Sequence, residues 1–103
     1  MTRLHRSRER NRKLVVTKRA RATRDGGRLT CEGCAFDFAK TYGERGEGYM
    51  EVHHTRPVHE IRPGHLTRLA DLALVCANCH RMIHARRPWL TIEELRALMV
   101  HGD

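Results

Sequence analysis

Apolar positions in this chain come in short, interrupted groups, and their spacing predicts five small elements instead of one long buried segment. Between Arg8 and Ala22, good helix formers surround Leu14, Val15 and Lys18, a seam narrow enough to rest on a domain while the arginines face outward. Asp25-Gly26-Gly27 should stop that helix. From Tyr49 to His54 the pattern becomes an alternation, with Tyr49, Glu51 and His53 on one side and Met50, Val52 and His54 on the other. This is a short strand whose extension Pro57 limits. Leu72 to Val75 is a second short apolar strand, reached through a polar connection over residues 59 to 68 with Pro63-Gly64 as its turn. The next helix opens at Cys76, carries His80 and His84 four residues apart on one side, and is expected to be closed by Pro88. Thr91 and Glu94 read as a capping box for a last helix in which Leu95, Leu98 and Met99 recur at helical spacing. Ile92 and Leu95 are expected to join Trp89 in covering a small core.

Two stretches lack such periodicity. Leu29 to Cys34 reads as a metal knuckle, with Gly33 relieving the tight backbone between its cysteines. Phe36 and Phe38 are expected to pack around it, in preference to stacking on bases. Tyr42 to Gly48 is glycine-rich and charged, a turn or loop without the G-x₄-G-K-[ST] order of a phosphate-binding loop.

The four cysteines decide how so lean a chain can fold. With 103 residues, 40% hydrophobic and 5% aromatic, it fits one domain with little interior of its own. Cys31 and Cys34 form one C-x₂-C pair and Cys76 and Cys79 a second, separated by a segment that contains His53 and His54. Four thiolates complete a closed tetrahedral zinc shell, whereas a disulfide across two intervening residues is strained and no thioredoxin-like pattern surrounds either pair. Zinc is the expected structural cofactor, contributing on the order of 10 kcal/mol to the folded state. Thiolates that hold zinc must stay reduced, and neither a membrane-length apolar run nor a signal peptide is indicated, so a cytoplasmic protein with no membrane partner is expected.

Charge divides the chain unevenly. Of the formal +8, residues 1 to 28 hold nine Arg, two Lys, one Glu and one Asp, so residues 29 to 103 are close to neutral. The expected organisation is a basic N-terminal arm or helix over 1–28 and a zinc-stabilised domain over 29–103. Arg3, Arg6, Arg8, Arg10, Arg12 and Lys13, with Arg81 on the helix after Cys76, suit phosphate contacts that depend on salt and not on base sequence; the plain alternative is a solvated tail or a linker.

Histidines supply the reactive chemistry. His53, His80 and His84 can offer imidazole ligands to a divalent cation with solvent-open positions, while His54, pointing at another angle, stays free as a general base. Such a centre suits phosphodiester hydrolysis: His54 takes a proton from water, and the cation stabilises the charge that develops on the phosphate and the departing 3′-oxygen. A buried structural role for the histidines, or a second structural zinc, are the competing readings.

The segments Glu51-Val-His-His-Thr-Arg-Pro57 and Asp71-Leu-Ala-Leu-Val-Cys-Ala-Asn-Cys-His-Arg-Met-Ile-His84 resemble the HNH endonucleases. Cys31-Glu-Gly-Cys-Ala-Phe-Asp-Phe38 and the Tyr42-Gly43 segment resemble the nuclease domain of McrA-like, modification-dependent restriction endonucleases within that family. The resemblance covers roughly residues 8 to 86. It implies a small α+β domain with a ββα-metal core and flanking helices, His53 and His80 as metal ligands, and His54 as general base. His84 matches the last histidine of the motif, a ligand in some members and a phosphate contact or support in others. The middle Asn of the motif falls on Asp71, whose carboxylate can orient the His54 ring, contribute to the metal environment or cap the local backbone.

On this basis the expected function is a metal-dependent endonuclease that cuts double-stranded DNA to leave 5′-phosphate and 3′-hydroxyl ends, as a restriction-type nuclease or its catalytic portion. The catalytic cation stays open among Mg²⁺, Mn²⁺, Ni²⁺ and Zn²⁺. Further partners left open are a second copy in a homodimer and a separate domain that reads modified bases. The alternative is a non-catalytic zinc-dependent DNA-binding module, and a third reading is a nuclease directed at RNA.

Overall fold

Residues 3–56 and 66–100 are described by a computed structural model. The basic N-terminal segment is one helix, α1 (Arg3–Ala22), which starts ahead of the expected Arg8. Leu14, Val15 and Lys18 are half-buried along its inner side, and Val16, off that seam, is 66% exposed. The helix lies against the second strand and the tight turn before it. A turn over Arg24–Gly26 ends it, with Gly26 at φ 78°, a left-handed conformation that favours glycine.

After the first knuckle comes a helix too short to leave a periodic trace in the sequence, α2 (Phe38–Tyr42). Asp37 starts it by accepting the Lys40 N–H at 3.1 Å, and the Arg28 guanidinium bonds the same carboxylate at 2.5 Å, which holds its pKa below the usual range. Phe36, Phe38, Tyr42 and Tyr49 pack edge-on or stacked within 6.4 Å, so the two phenylalanines build the fold, as expected.

Strand β1 (Glu51–His54) pairs antiparallel with β2 (Leu72–Val75) in the register Glu51 to Val75, Val52 to Leu74, His53 to Ala73 and His54 to Leu72. Helix α3 (Ala77–His84) packs on β1, and α4 (Ile92–Leu98) packs on α3. Met50, Val75, Ile83 and Leu95 are the largest fully buried side chains and join these layers, with Leu29, Cys31, Cys76 and Cys79 in the same cluster. The capping box of α4 forms as anticipated, Thr91 accepting the Glu94 N–H at 3.0 Å and Glu94 accepting the Thr91 N–H at 2.8 Å.

Pro88 does not close α3. The helix ends at His84, where the Ala85 N–H reaches back to the Met82 carbonyl in a tightened last turn, well before the proline. The expected stop at Pro57 and turn at Pro63-Gly64 lie outside the described residues, as does the chain end after Val100. Among the described residues no helix is long and apolar enough to cross a membrane.

Candidate active site

The two cysteine pairs meet where β2 runs into α3. Cys76 caps α3 with its sulfur, accepting the Cys79 N–H at 3.4 Å, and Cys31 accepts the N–H groups of Gly33 at 3.3 Å and Cys34 at 3.4 Å. All four sulfurs lie within 4.8 Å of one another, and those of Cys34 and Cys76 are 3.7 Å apart. A tetrahedral zinc with bonds of about 2.3 Å needs neighbouring sulfurs about 3.8 Å apart, against about 2.05 Å in a disulfide. The donors therefore fit a structural metal such as zinc. Burial opposes charge on Cys31, but the backbone N–H groups aimed at it hold its thiol below the ordinary range, whereas burial pushes the thiols of Cys34 and Cys79 up.

Glu32 and Gly33 make that meeting possible. The Glu32 carboxylate accepts the Leu74 N–H at 2.6 Å while the Glu32 N–H donates to the Leu74 carbonyl at 2.8 Å, stitching the first knuckle to β2. Arg96 of α4 then holds the Glu32 carbonyl from its Nε at 2.7 Å. Gly33 owes its place to close approach: a Cβ there would stand 2.8 Å from Leu95 Cδ2 and 3.1 Å from the Cys79 sulfur. No sequence pattern distinguished Glu32.

Eight residues of α3 serve both clusters, because the helix that begins in the cysteine site ends in the histidines. His80 and His84 face His53 of β1, and one ligand nitrogen from each of the three lies within 4.8 Å of the others. Nε2 of His84 is 3.2 Å from Nδ1 of His53. His53 is buried, His80 half-buried and His84 exposed, so the cluster is backed by the fold on one side and open to solvent on the other. Burial, followed by the nearby charges of His84, His80 and His54, lowers the His53 pKa to about 4; burial and then His80 lower that of His84. Both shifts favour the neutral imidazole that a metal requires.

Two neighbours escaped the sequence reading. Glu51, two residues before His53 and hence on the same face of β1, has Oε1 2.9 Å from Nδ1 of His80, and that hydrogen bond lowers its pKa. The alternation of the strand carried this signal. Trp89 packs on the core as expected but also stands edge-on to His84 with ring centroids 4.1 Å apart, and 5.7 Å from His53.

His54 is exposed beside His53, at the end of β1, and opposite Leu72. Asp71 is buried in the tight turn Leu69–Asp71 before β2. Its carboxylate accepts the Arg68 N–H at 2.9 Å and lies 3.5 Å from the Arg68 guanidinium, and these interactions lower its pKa. Its carbonyl accepts the Thr55 N–H at 2.8 Å, so Asp71 fastens the chain immediately after His54. Arg10, Arg12 and Lys13 are exposed on α1, and Arg81 is exposed on α3; the side chains of Arg3, Arg6 and Arg8 carry no structural description beyond their place on α1.

No curated protein and no solved structure matches the chain. A family model described as HNH endonuclease matches residues 31–86, a stretch that holds both cysteine pairs and all four histidines of the site.

Proposed function

The chain belongs to the HNH endonuclease family, and from that premise we propose that it is a metal-dependent endonuclease of double-stranded DNA, with its nuclease domain over residues 29–103 and a DNA-contacting basic N-terminal segment, which includes α1, over 1–28. The observation that carries this reading is the convergence of His53, His80 and His84 on the open side of the β1–β2 hairpin and α3, with His54 next to them. We read this succession as a ββα-metal core. The three histidines would hold the catalytic cation, and their all-imidazole donor set favours late first-row ions such as Ni²⁺ or Zn²⁺ over Mg²⁺. When bound, that cation supplies Lewis-acid stabilisation of charge on the phosphate.

A ring nitrogen of His54 takes a proton from a water molecule, whose oxygen then bonds to phosphorus as the bond to the 3′-oxygen breaks. The products are a 5′-phosphate and, once the departing oxygen is protonated, a 3′-hydroxyl. Exposure of His54 supports the role, since a base must be reachable by substrate and solvent. Asp71 supports it through its hold on the chain beside His54. Arg81 and the basic residues of the N-terminal segment, Arg3, Arg6, Arg8, Arg10, Arg12 and Lys13, would attract the phosphate backbone. Zinc at the four cysteines is structural and takes no part in the reaction. The knuckle sequence around Cys31 favours a restriction-type, McrA-like nuclease or its catalytic portion, with base selection left to another domain.

Plasmid nicking tests the reading. Wild-type protein should cut only with added divalent cation, and His54→Ala should slow cleavage by roughly 10²–10⁴-fold while zinc content and folding persist. A His54→Ala protein as active as wild type would overturn His54 as the base. DNA binding without nicking at any cation would favour a non-catalytic zinc module, and preferential cutting of RNA in parallel assays would redirect the substrate.

A further inference from the structure

We propose that Glu51 is a positioning residue for the histidine centre, fixing the ring of His80 so that its Nε2 is turned to receive a divalent cation, with Tyr49 holding the carboxylate from behind. The inference rests on the reading of His53, His80 and His84 as the catalytic metal centre. Glu51 Oε1 is 2.9 Å from His80 Nδ1, and the Tyr49 hydroxyl donates to Oε2 at 3.2 Å. Both oxygens are thus engaged, and the carboxylate has one defined orientation.

An ionised carboxylate only accepts, so the proton of a neutral His80 ring sits on Nδ1 and the lone pair on Nε2. The hydrogen bond selects the tautomer before any cation arrives. It also restrains a ring that is only half-buried and that packing alone holds loosely. Strand register explains how a residue 29 positions away in sequence does this: Glu51 and His53 are separated by one residue on β1, so both face α3, where His80 stands. Glu51 is not among the three side chains whose ligand atoms converge, which assigns its effect to His80 and not to direct ligation. Partners of this kind tune metal affinity through ring orientation and ligand basicity.

Trp89 provides a readout independent of catalysis. It is the only tryptophan in the chain, and its ring lies against His84 and His53, so a paramagnetic ion bound between the histidines should quench its fluorescence. Zinc-loaded wild type, Glu51→Ala, Glu51→Gln and Tyr49→Phe would be titrated with Co²⁺, with zinc content and circular dichroism followed in the same samples. Glu51→Ala should weaken Co²⁺ binding by about 10–100-fold with one zinc per chain retained. Glu51→Gln should recover part of that affinity, because its amide oxygen can still accept the Nδ1–H, and Tyr49→Phe should shift it least. A Glu51→Ala curve identical to wild type overturns the inference alone. Loss of zinc or of fold in both Glu51 variants overturns it as well, by making Glu51 a framework residue. Wild type that Co²⁺ does not quench overturns the metal-centre reading, and this inference with it.

Discussion

Arg19 of α1 donates from its guanidinium to the backbone carbonyl of Met50 at 2.7 Å, tying the basic helix to the residue that leads into the histidine-bearing strand. The C-terminal half of α1 is therefore part of the fold, although its composition matches that of an arm. Arg19→Ala should destabilise the protein by about 1–2 kcal/mol, read from denaturant midpoints. Deleting residues 1–12, which removes five arginines from the other half, should leave that midpoint nearly unchanged. It should instead weaken DNA binding at low salt and reduce the salt slope by about 0.9 for each phosphate that the shortened helix no longer neutralises. Salt curves that coincide for the two lengths would assign the first turns to something other than DNA.

Gly33→Ala should lower stability by about 1–3 kcal/mol, because the new methyl group must displace Leu95 Cδ2 or crowd the Cys79 sulfur. Thermal denaturation of zinc-saturated protein would register the change. An unaltered melting temperature would mean that α4 moves freely away from the knuckle.

Asp71→Asn should behave more mildly than Asp71→Ala. The amide oxygen can still accept the Arg68 N–H, whereas alanine removes the acceptor at a cost of about 1 kcal/mol. Cleavage rates at saturating cation should follow the same order. If the asparagine variant were as slow as alanine at equal stability, the negative charge itself would be what His54 requires.

Acid should weaken the protein through His53. With the histidine centre free of added cation, an unfolded chain takes up a proton at His53 near its ordinary pKa of 6.5, while the folded chain refuses it until about pH 4. The stability this contributes is fully present above about pH 6.5 and is lost as pH falls through that window. Denaturation midpoints between about pH 7.5 and 5 should therefore slope less in His53→Asn than in wild type, with zinc content followed to separate loss of the thiolate site. Parallel slopes would show that His53 is protonated alike in both states.

Local rules carried most of the elements. Alternation found β1, the apolar run found β2 to the residue, and the Thr91–Glu94 box found α4, because each depends on side chains within a few positions of one another. Spacing also brought the four cysteines and three of the histidines together correctly. What escaped depends on distant partners. Glu32 binds Leu74 across 42 positions, and Trp89 reaches His53 from beyond the end of α3; neither leaves a local pattern. Helix α2 escaped for the opposite reason, since five residues are too few for a period to repeat. Pro88 misled because a proline bars continuation of a helix without requiring that the helix reach it.

Because α3 grows out of Cys76 and Cys79 and ends at His84, the two clusters stand in a hierarchy. With cations at both sites, as proposed, a mild chelator would strip the histidines and leave the helix seated on its thiolate anchor, ready to reload. Removing zinc from the cysteines would instead free the N-terminal end of the same eight residues, and His80 and His84 would lose their common bearing on His53. On the proposed reading, order of assembly would be built into one short helix: zinc would have to arrive first, because a chain still waiting for it would have no formed histidine centre.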